Sequence, residues 1–138
     1  MNYNPATSWL LKDIPAADTL WHDSELELEG HPRMNLADLM DAFQLTLPLL
    51  LTYNAPSVIR EFPGGTVLSL LQFIYAFYQE LMSVEYLAEM QRNVVGANVN
   101  RLAGLRERLE AGEFVRRLDV IGRGCNFEGI RNNVLLLD

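Results

Sequence analysis

A chain of 138 residues with 49% apolar and 21% charged side chains has the size and composition of one globular domain, which excludes a disordered chain. Its net charge of −7 opposes direct binding of nucleic acid through phosphates. Its single cysteine, Cys125, excludes an intrachain disulfide and a zinc site built from several cysteines. No uninterrupted apolar run reaches the roughly 20 residues of a membrane span, and no signal-peptide pattern opens the chain. We therefore expect a cytoplasmic protein, or one incorporated into an assembled particle.

Residues 1–33 follow no sustained helical or strand period, and three prolines interrupt them. They are predicted to form an extended N-terminal arm anchored by Trp9 and Trp21. Between Asp23 and Glu29 the acidic side chains alternate with leucines, a short strand-like pattern. The arm either lies on its own domain or reaches onto a neighbouring molecule.

Residues 34–138 are predicted to form a single helical domain. Asn35 is a suitable N-cap for a first helix that begins at Leu36 and carries an apolar stripe as far as Leu47. Pro48 removes a backbone donor and should end or kink this helix.

The second predicted helix covers about residues 66–93 and dominates the domain. Its first part belongs to the run Gly64–Gln79, which contains no charged residue. Apolar residues recur at steps of four and three, the spacing of a packing seam, and we expect them to be deeply buried. These residues are Leu70, Ile74, Phe77 and Leu81. An unbroken helix of about 28 residues would be roughly 42 Å long.

A third helix is predicted from about Val99 to Ala111, and a shorter helical stretch ends at Gly122. Two asparagines, Asn132 and Asn133, tolerate a positive φ and predict a tight turn in a short C-terminal β-hairpin. The predicted fold is therefore mainly α: three to four helices packed around the long apolar helix, with the extended arm and the hairpin added.

No residue pattern predicts an enzyme, a cofactor or a metal site. The glycines between Gly122 and Gly129 superficially resemble a nucleotide-binding loop, but they lack the βαβ context and the lysine that such loops need. Cys125 has no nearby histidine base, since the histidines, His22 and His31, both lie in the arm. The two histidines are also too far apart in sequence to ligate a metal as a helical pair. We therefore predict that Cys125→Ser leaves folding and partner binding nearly intact.

The sequence predicts instead a non-enzymatic protein–protein interaction module. A long helix that is apolar almost all round needs more cover than the shorter helices supply, so the expected partner is another protein, foremost a second copy of this chain. The protein would be a self-assembling structural or adaptor subunit, for example of a virus particle or a secretion apparatus. The side chains predicted to form its interface are Trp9, Trp21, Phe73, Tyr75, Tyr78, Arg101 and Arg108.

Two alternatives remain open. Residues 1–90 carry a charge balance of −9, against +2 for residues 91–138. The acidic half would suit an inhibitor or chaperone-like protein that binds a basic partner. The second alternative is a small enzyme whose site forms only in the oligomer. The arginines of the third helix favour a protein interface over a phosphate backbone because glutamates are interleaved with them.

Overall fold

The computed structural model describes residues 1–5, 8–13, 39–52, 54–122 and 124–138. These residues form a mixed five-stranded sheet and four α-helices. The prediction of a mainly α fold is therefore wrong, and the protein belongs to the α/β class. Within the described ranges, no helix has the length and hydropathy needed to cross a bilayer.

The sheet joins two local hairpins into one layer. Its strands are β1 (Trp9–Leu10), β2 (Phe43–Pro48), β3 (Ser57–Phe62), β4 (Asn126–Arg131) and β5 (Val134–Leu137). Their spatial order is β1-β4-β5-β2-β3. Neighbouring strands are antiparallel except β2 and β5, which run parallel and meet where Thr46 pairs with Val134.

The predicted first helix is wrong from Phe43 onward, because residues 43–48 form strand β2. Leu45 and Leu47 are buried while Gln44 is exposed, which is the two-residue period of a strand with one covered face. Leu39 and Met40 are helical, and the residues between 14 and 38 lie outside the described part of the chain.

The helices are α1 (Val67–Gln79), α2 (Val84–Arg92), α3 (Ala97–Glu110) and α4 (Arg117–Ile121). The single helix predicted over residues 66–93 is thus two helices separated at residues 80–83.

The break between α1 and α2 is made by contacts with a distant segment. Leu81 forms a β-bridge with Arg116, and the Met82 N–H donates to the Val115 carbonyl at 2.8 Å. Ser83 then caps α2 by accepting a hydrogen bond from the Tyr86 N–H at 3.1 Å. As a result Leu81 is 57% exposed, so the prediction that it is buried is wrong.

Other local predictions are confirmed. Leu70, Ile74 and Phe77 are buried on α1, and Thr66 caps that helix. The predicted third helix corresponds to α3, and α4 ends at Gly122. Asn132 and Asn133 adopt φ values of 52° and 63° in the turn of the β4–β5 hairpin.

Tyrosine and phenylalanine side chains connect the helical layer to the sheet. Tyr78 of α1 is buried, and its hydroxyl donates to the Pro48 carbonyl at 2.9 Å. The rings of Phe62 on β3 and Phe73 on α1 meet edge to face at 5.3 Å. The covering that α1 requires therefore comes from the same chain.

The described part of the predicted arm joins the sheet of its own chain. Tyr3 and Ile130 exchange two backbone hydrogen bonds, at 2.8 and 2.7 Å, and Trp9 pairs with Phe127. Leu11 follows in a short 3₁₀ helix and is buried.

Candidate interaction surface

The two faces of the sheet differ sharply in exposure. On the inner face, toward the helices, Leu45, Leu47 and Phe62 are buried. On the outer face, Gln44 and Ile59 are exposed, as expected for a sheet that is covered on one side only.

The outer face carries a row of three β-branched side chains on adjacent strands. Thr46 of β2 is the register partner of both Val134 on β5 and Ile59 on β3, so the three side chains share one face. Val134 is 41% exposed and Ile59 is 63% exposed. We call Val134, Thr46 and Ile59 the β-branched row; it ends at Ile59, on the last strand of the sheet.

Strand β3 presents unpaired backbone groups at this end, because no further strand pairs with it among the described residues. The Leu49 N–H donates to the Pro56 carbonyl at 3.1 Å, which marks that pair as hydrogen-bonded. Hydrogen-bonded and non-hydrogen-bonded pairs alternate along an antiparallel ladder. The N–H and C=O groups of Ser57, Ile59 and Glu61 therefore point away from β2, toward the free edge.

Charged residues often protect edge strands from unwanted pairing, but both charges on β3 are engaged within the chain. Arg60 forms a bidentate pair with Glu80, with nitrogen–oxygen distances of 2.9 and 3.1 Å. The Glu61 carboxylate accepts a weaker bond from the Gln44 side-chain amide at 3.5 Å. The edge thus keeps an exposed isoleucine beside two charged residues that already have partners in the chain.

Beside this edge, a cluster of charges ties α1, β3 and α4 together. Arg117 is only 3% exposed, and it donates to the Phe77 carbonyl and to Glu80 Oε2, both at 2.7 Å. Its guanidinium lies 3.9 Å from the centroid of the Phe77 ring, and that of Arg60 lies 5.1 Å from the same ring. The charged groups of Arg60, Glu80 and Arg117 thus pair within the chain, although Arg117 Nε is buried without a hydrogen-bond partner.

The same cluster perturbs the ionisation of Glu80. Partial burial alone would raise the pKa of its carboxyl group, but hydrogen bonds and positive charge from Arg60 and Arg117 outweigh burial and lower that pKa.

A cavity of about 340 Å³ lies on another side of the molecule and is lined in part by Lys12, Arg101, Arg108 and Cys125. Arg101 donates hydrogen bonds to nearby backbone carbonyls, and Arg108 forms an ion pair with an acidic side chain. Arg101 donates to the carbonyls of Ile121 and Asp119 at 3.1 and 3.0 Å. Arg108 lies 3.6 Å from the Glu113 carboxylate. Both guanidinium groups are therefore already engaged by other groups of the described chain.

Cys125 in this cavity is unsuited to nucleophilic catalysis. The side chain is 3% exposed, and burial, followed by the negative charge of Asp138, raises the pKa of its thiol to about 12. A thiol with that pKa is almost entirely protonated at neutral pH, whereas the thiolate is the reactive form.

We expect Cys125→Ala to preserve folding and self-association, because the thiol has no chemical role and alanine removes little volume. The predicted tolerance of Cys125→Ser needs adjustment, since a hydroxyl in this buried position would cost about 1–2 kcal/mol. Urea denaturation followed by circular dichroism measures both stabilities. Loss of self-association in a folded Cys125→Ala variant would show that the thiol does participate in function.

The residues predicted to form the interface do not share one surface. Tyr78 is 1% exposed and is unavailable to a partner, while Phe73 and Tyr75 are half-buried on α1. Arg101 and Arg108 line the cavity described above. Trp9 lies in β1, and Trp21 lies outside the described residues.

Sequence reasoning missed the β-branched row altogether. The available signal was the alternation of buried and exposed types in residues 43–48, which identifies Thr46 as outward-facing once the segment is read as a strand.

The described residues hold no group of three or more histidine, cysteine or acidic side chains arranged to bind a metal ion. The surface with the clearest capacity for recognition is thus the β3 edge together with the β-branched row. Comparison with protein-family models, with curated proteins and with solved structures finds no match to this chain.

Proposed function

We propose that the protein is a non-enzymatic interaction module that binds another protein through the β3 edge and the β-branched row, as a self-assembling structural or adaptor subunit. The observation that carries this proposal is Ile59, a large apolar side chain that is 63% exposed on an edge strand. No strand of the described ranges pairs with the outward backbone groups of that strand. Adding a strand to such an edge provides main-chain hydrogen bonds, while neighbouring side chains provide specificity.

The basis for self-association differs from the one that the sequence suggested. Most apolar side chains of helix α1 are buried against the rest of the chain, so the helix does not depend on a partner for its cover. Among the described residues, the β3 edge combines an exposed apolar side chain with backbone groups that no strand pairs. Arg60 and Glu61 leave β3 without net charge, so the overall charge of −7 is not concentrated where two copies would meet.

The two alternative functions have no supporting geometry. The acidic stretch Asp23–Glu29, which an inhibitor of basic proteins would use, lies outside the described residues. An enzyme formed only in an oligomer would need catalytic groups near the edge. The charged groups there have partners in the chain, since Arg60 pairs with Glu80 and Glu61 accepts from Gln44.

We expect Ile59→Lys to weaken self-association at least about tenfold, because a charged side chain at an edge disfavours further strand pairing. Sedimentation equilibrium across the micromolar range measures the association constant. Val95→Lys is the matched control, since Val95 is 86% exposed and lies between α2 and α3, away from the sheet. Equal association of the wild type and Ile59→Lys, or a monomeric wild type throughout, would contradict the proposal.

A further inference from the structure

We infer that the partner at this edge is a second copy of the chain, and that the two β3 strands pair antiparallel with Ile59 directly opposite Ile59 of the second copy. This inference rests on the proposed function, and it specifies both the partner and the register. The paired sheets would form one continuous layer with the helices of both copies on the same side.

Backbone geometry restricts the arrangements that are available. Ser57, Ile59 and Glu61 point their N–H and C=O groups to the free edge, so these residues form the hydrogen-bonded pairs of any new antiparallel ladder. A two-fold axis perpendicular to the sheet brings together residues whose side chains lie on the same face. The ladder can then be centred on Val58, Ile59 or Arg60.

Only the central register uses the whole edge. With Ile59 at the centre, Ile59 pairs with its own copy, and Ser57 pairs with Glu61 in both directions. Centring on Val58 leaves Glu61 without a partner inside β3. Centring on Arg60 leaves Ser57 opposite Pro63, outside the strand. It also places the two Arg60 side chains directly opposite each other, with Cβ atoms about 5 Å apart.

The side chains favour the same register. The β-branched row of one copy continues into that of the other through the two Ile59 side chains, which form an apolar cross-strand pair. Glu61 faces the Ser57 hydroxyl of the second copy, a donor suited to a carboxylate. The two Arg60 side chains become diagonal neighbours, and each is already paired with Glu80 of its own chain.

The arrangement is isologous, so it closes after two copies. In this dimer the outer edge of each β3 strand is paired with that of the other copy, so a third copy has no free β3 edge to pair with. A dimer is therefore the expected product of this contact.

Cysteine cross-linking in the full-length chain tests the register. Ser57→Cys protein is mixed with Glu61→Cys protein and oxidised under native conditions, and the products are separated on a non-reducing gel. In the Ile59-centred register these two positions lie directly opposite, with Cα atoms about 5.5 Å apart, within the range of a disulfide. Cys125 is buried and stays as an unreactive thiol.

We expect the mixed disulfide to exceed either homodisulfide at least about tenfold. Each variant alone is the matched control, because identical positions would lie about 14 Å apart along the paired strands. A dominant Ser57→Cys homodisulfide would indicate a ladder centred on Ser57, and a dominant Glu61→Cys homodisulfide would indicate one centred on Glu61. Either result, or no cross-link in a protein that self-associates through Ile59, overturns the inference and leaves the proposed function standing.

A measurement on the unmodified protein guards against variants that fail to fold. The amides of Ser57, Ile59 and Glu61 should exchange with solvent more slowly as protein concentration rises, since they become hydrogen-bonded only in the dimer. The Val95 amide should be unaffected. Concentration-independent exchange at all three edge amides would overturn the inference.

Discussion

Replacing Phe77 by alanine is expected to lower the free energy of unfolding by about 3–5 kcal/mol. The ring is 2% exposed in the core, so its removal leaves a cavity between α1 and its neighbours. The guanidinium of Arg117, 3.9 Å from the ring centroid, also loses its aromatic contact. Because Arg117 is itself buried, water cannot easily replace that contact.

Urea denaturation followed by circular dichroism measures this change, and Phe114→Ala is the matched control. Phe114 is 76% exposed, so its truncation should alter the free energy of unfolding by less than about 0.5 kcal/mol. Phe77→Leu, which keeps apolar volume but removes the ring, should fall between the two. An unchanged midpoint in Phe77→Ala would show that α1 does not form the centre of the core.

The second large effect is expected from Glu80→Ala, at about 2–3 kcal/mol. The substitution leaves the guanidinium of Arg117, 3% exposed, without its ionic partner, and an uncompensated buried charge is strongly destabilising. We place the loss below that of a fully buried pair because the Glu80 side chain is 36% exposed and water screens part of the interaction. Glu107→Ala, on the exposed surface of α3, should cost far less.

The charge on Glu80 also predicts a dependence on pH. Its folded-state pKa lies below the ordinary value of 4.5, so its stabilising effect is complete above that value. As the pH falls further, through the folded-state pKa, the carboxylate is protonated and the effect is lost. Urea midpoints measured from pH 7 down to acid should therefore fall less steeply in Glu80→Gln than in the wild type. Parallel pH profiles would contradict the assigned role of Glu80.

Predictions from sequence succeeded where a local signal was sufficient. The spacing of Leu70, Ile74 and Phe77 located the buried stripe of α1 because one helical turn brings those residues onto the same face. Likewise, Asn132 and Asn133 identified the hairpin turn because few residues tolerate a positive φ.

Predictions failed where distant segments determine the local structure. The apolar residues from Leu39 to Leu47 fit a helical spacing as well as a strand alternation. The segment from Phe43 forms a strand because it pairs with residues 57–62 and with Val134. The break after Gln79 contains no glycine or proline that would have predicted it. It is made instead by the bridge between Leu81 and Arg116. Neither partner is near in sequence.

The candidate site was missed for the same reason. Ile59 reads as an ordinary apolar residue until β3 is known to be the last strand of the sheet. Conversely, the aromatic cluster on α1 suggested an interface because aromatic residues mark interface cores and protein cores alike. The sheet that buries Tyr78 was not predicted, because the pattern of residues 36–47 was interpreted as helical and residues 43–48 form strand β2.

The parallel contact between β2 and β5 has a consequence for how the protein folds. Hairpins β2–β3 and β4–β5 each contain mainly local contacts and can form early. The sheet is complete only when Thr46 meets Val134, and four helices lie between these two residues in sequence. Closing so long a loop carries an entropic penalty that is incurred before the contact is formed. We therefore expect the joining of the two hairpins to limit the rate of folding, so that substitutions at the Thr46–Val134 contact slow folding more than substitutions in the turns.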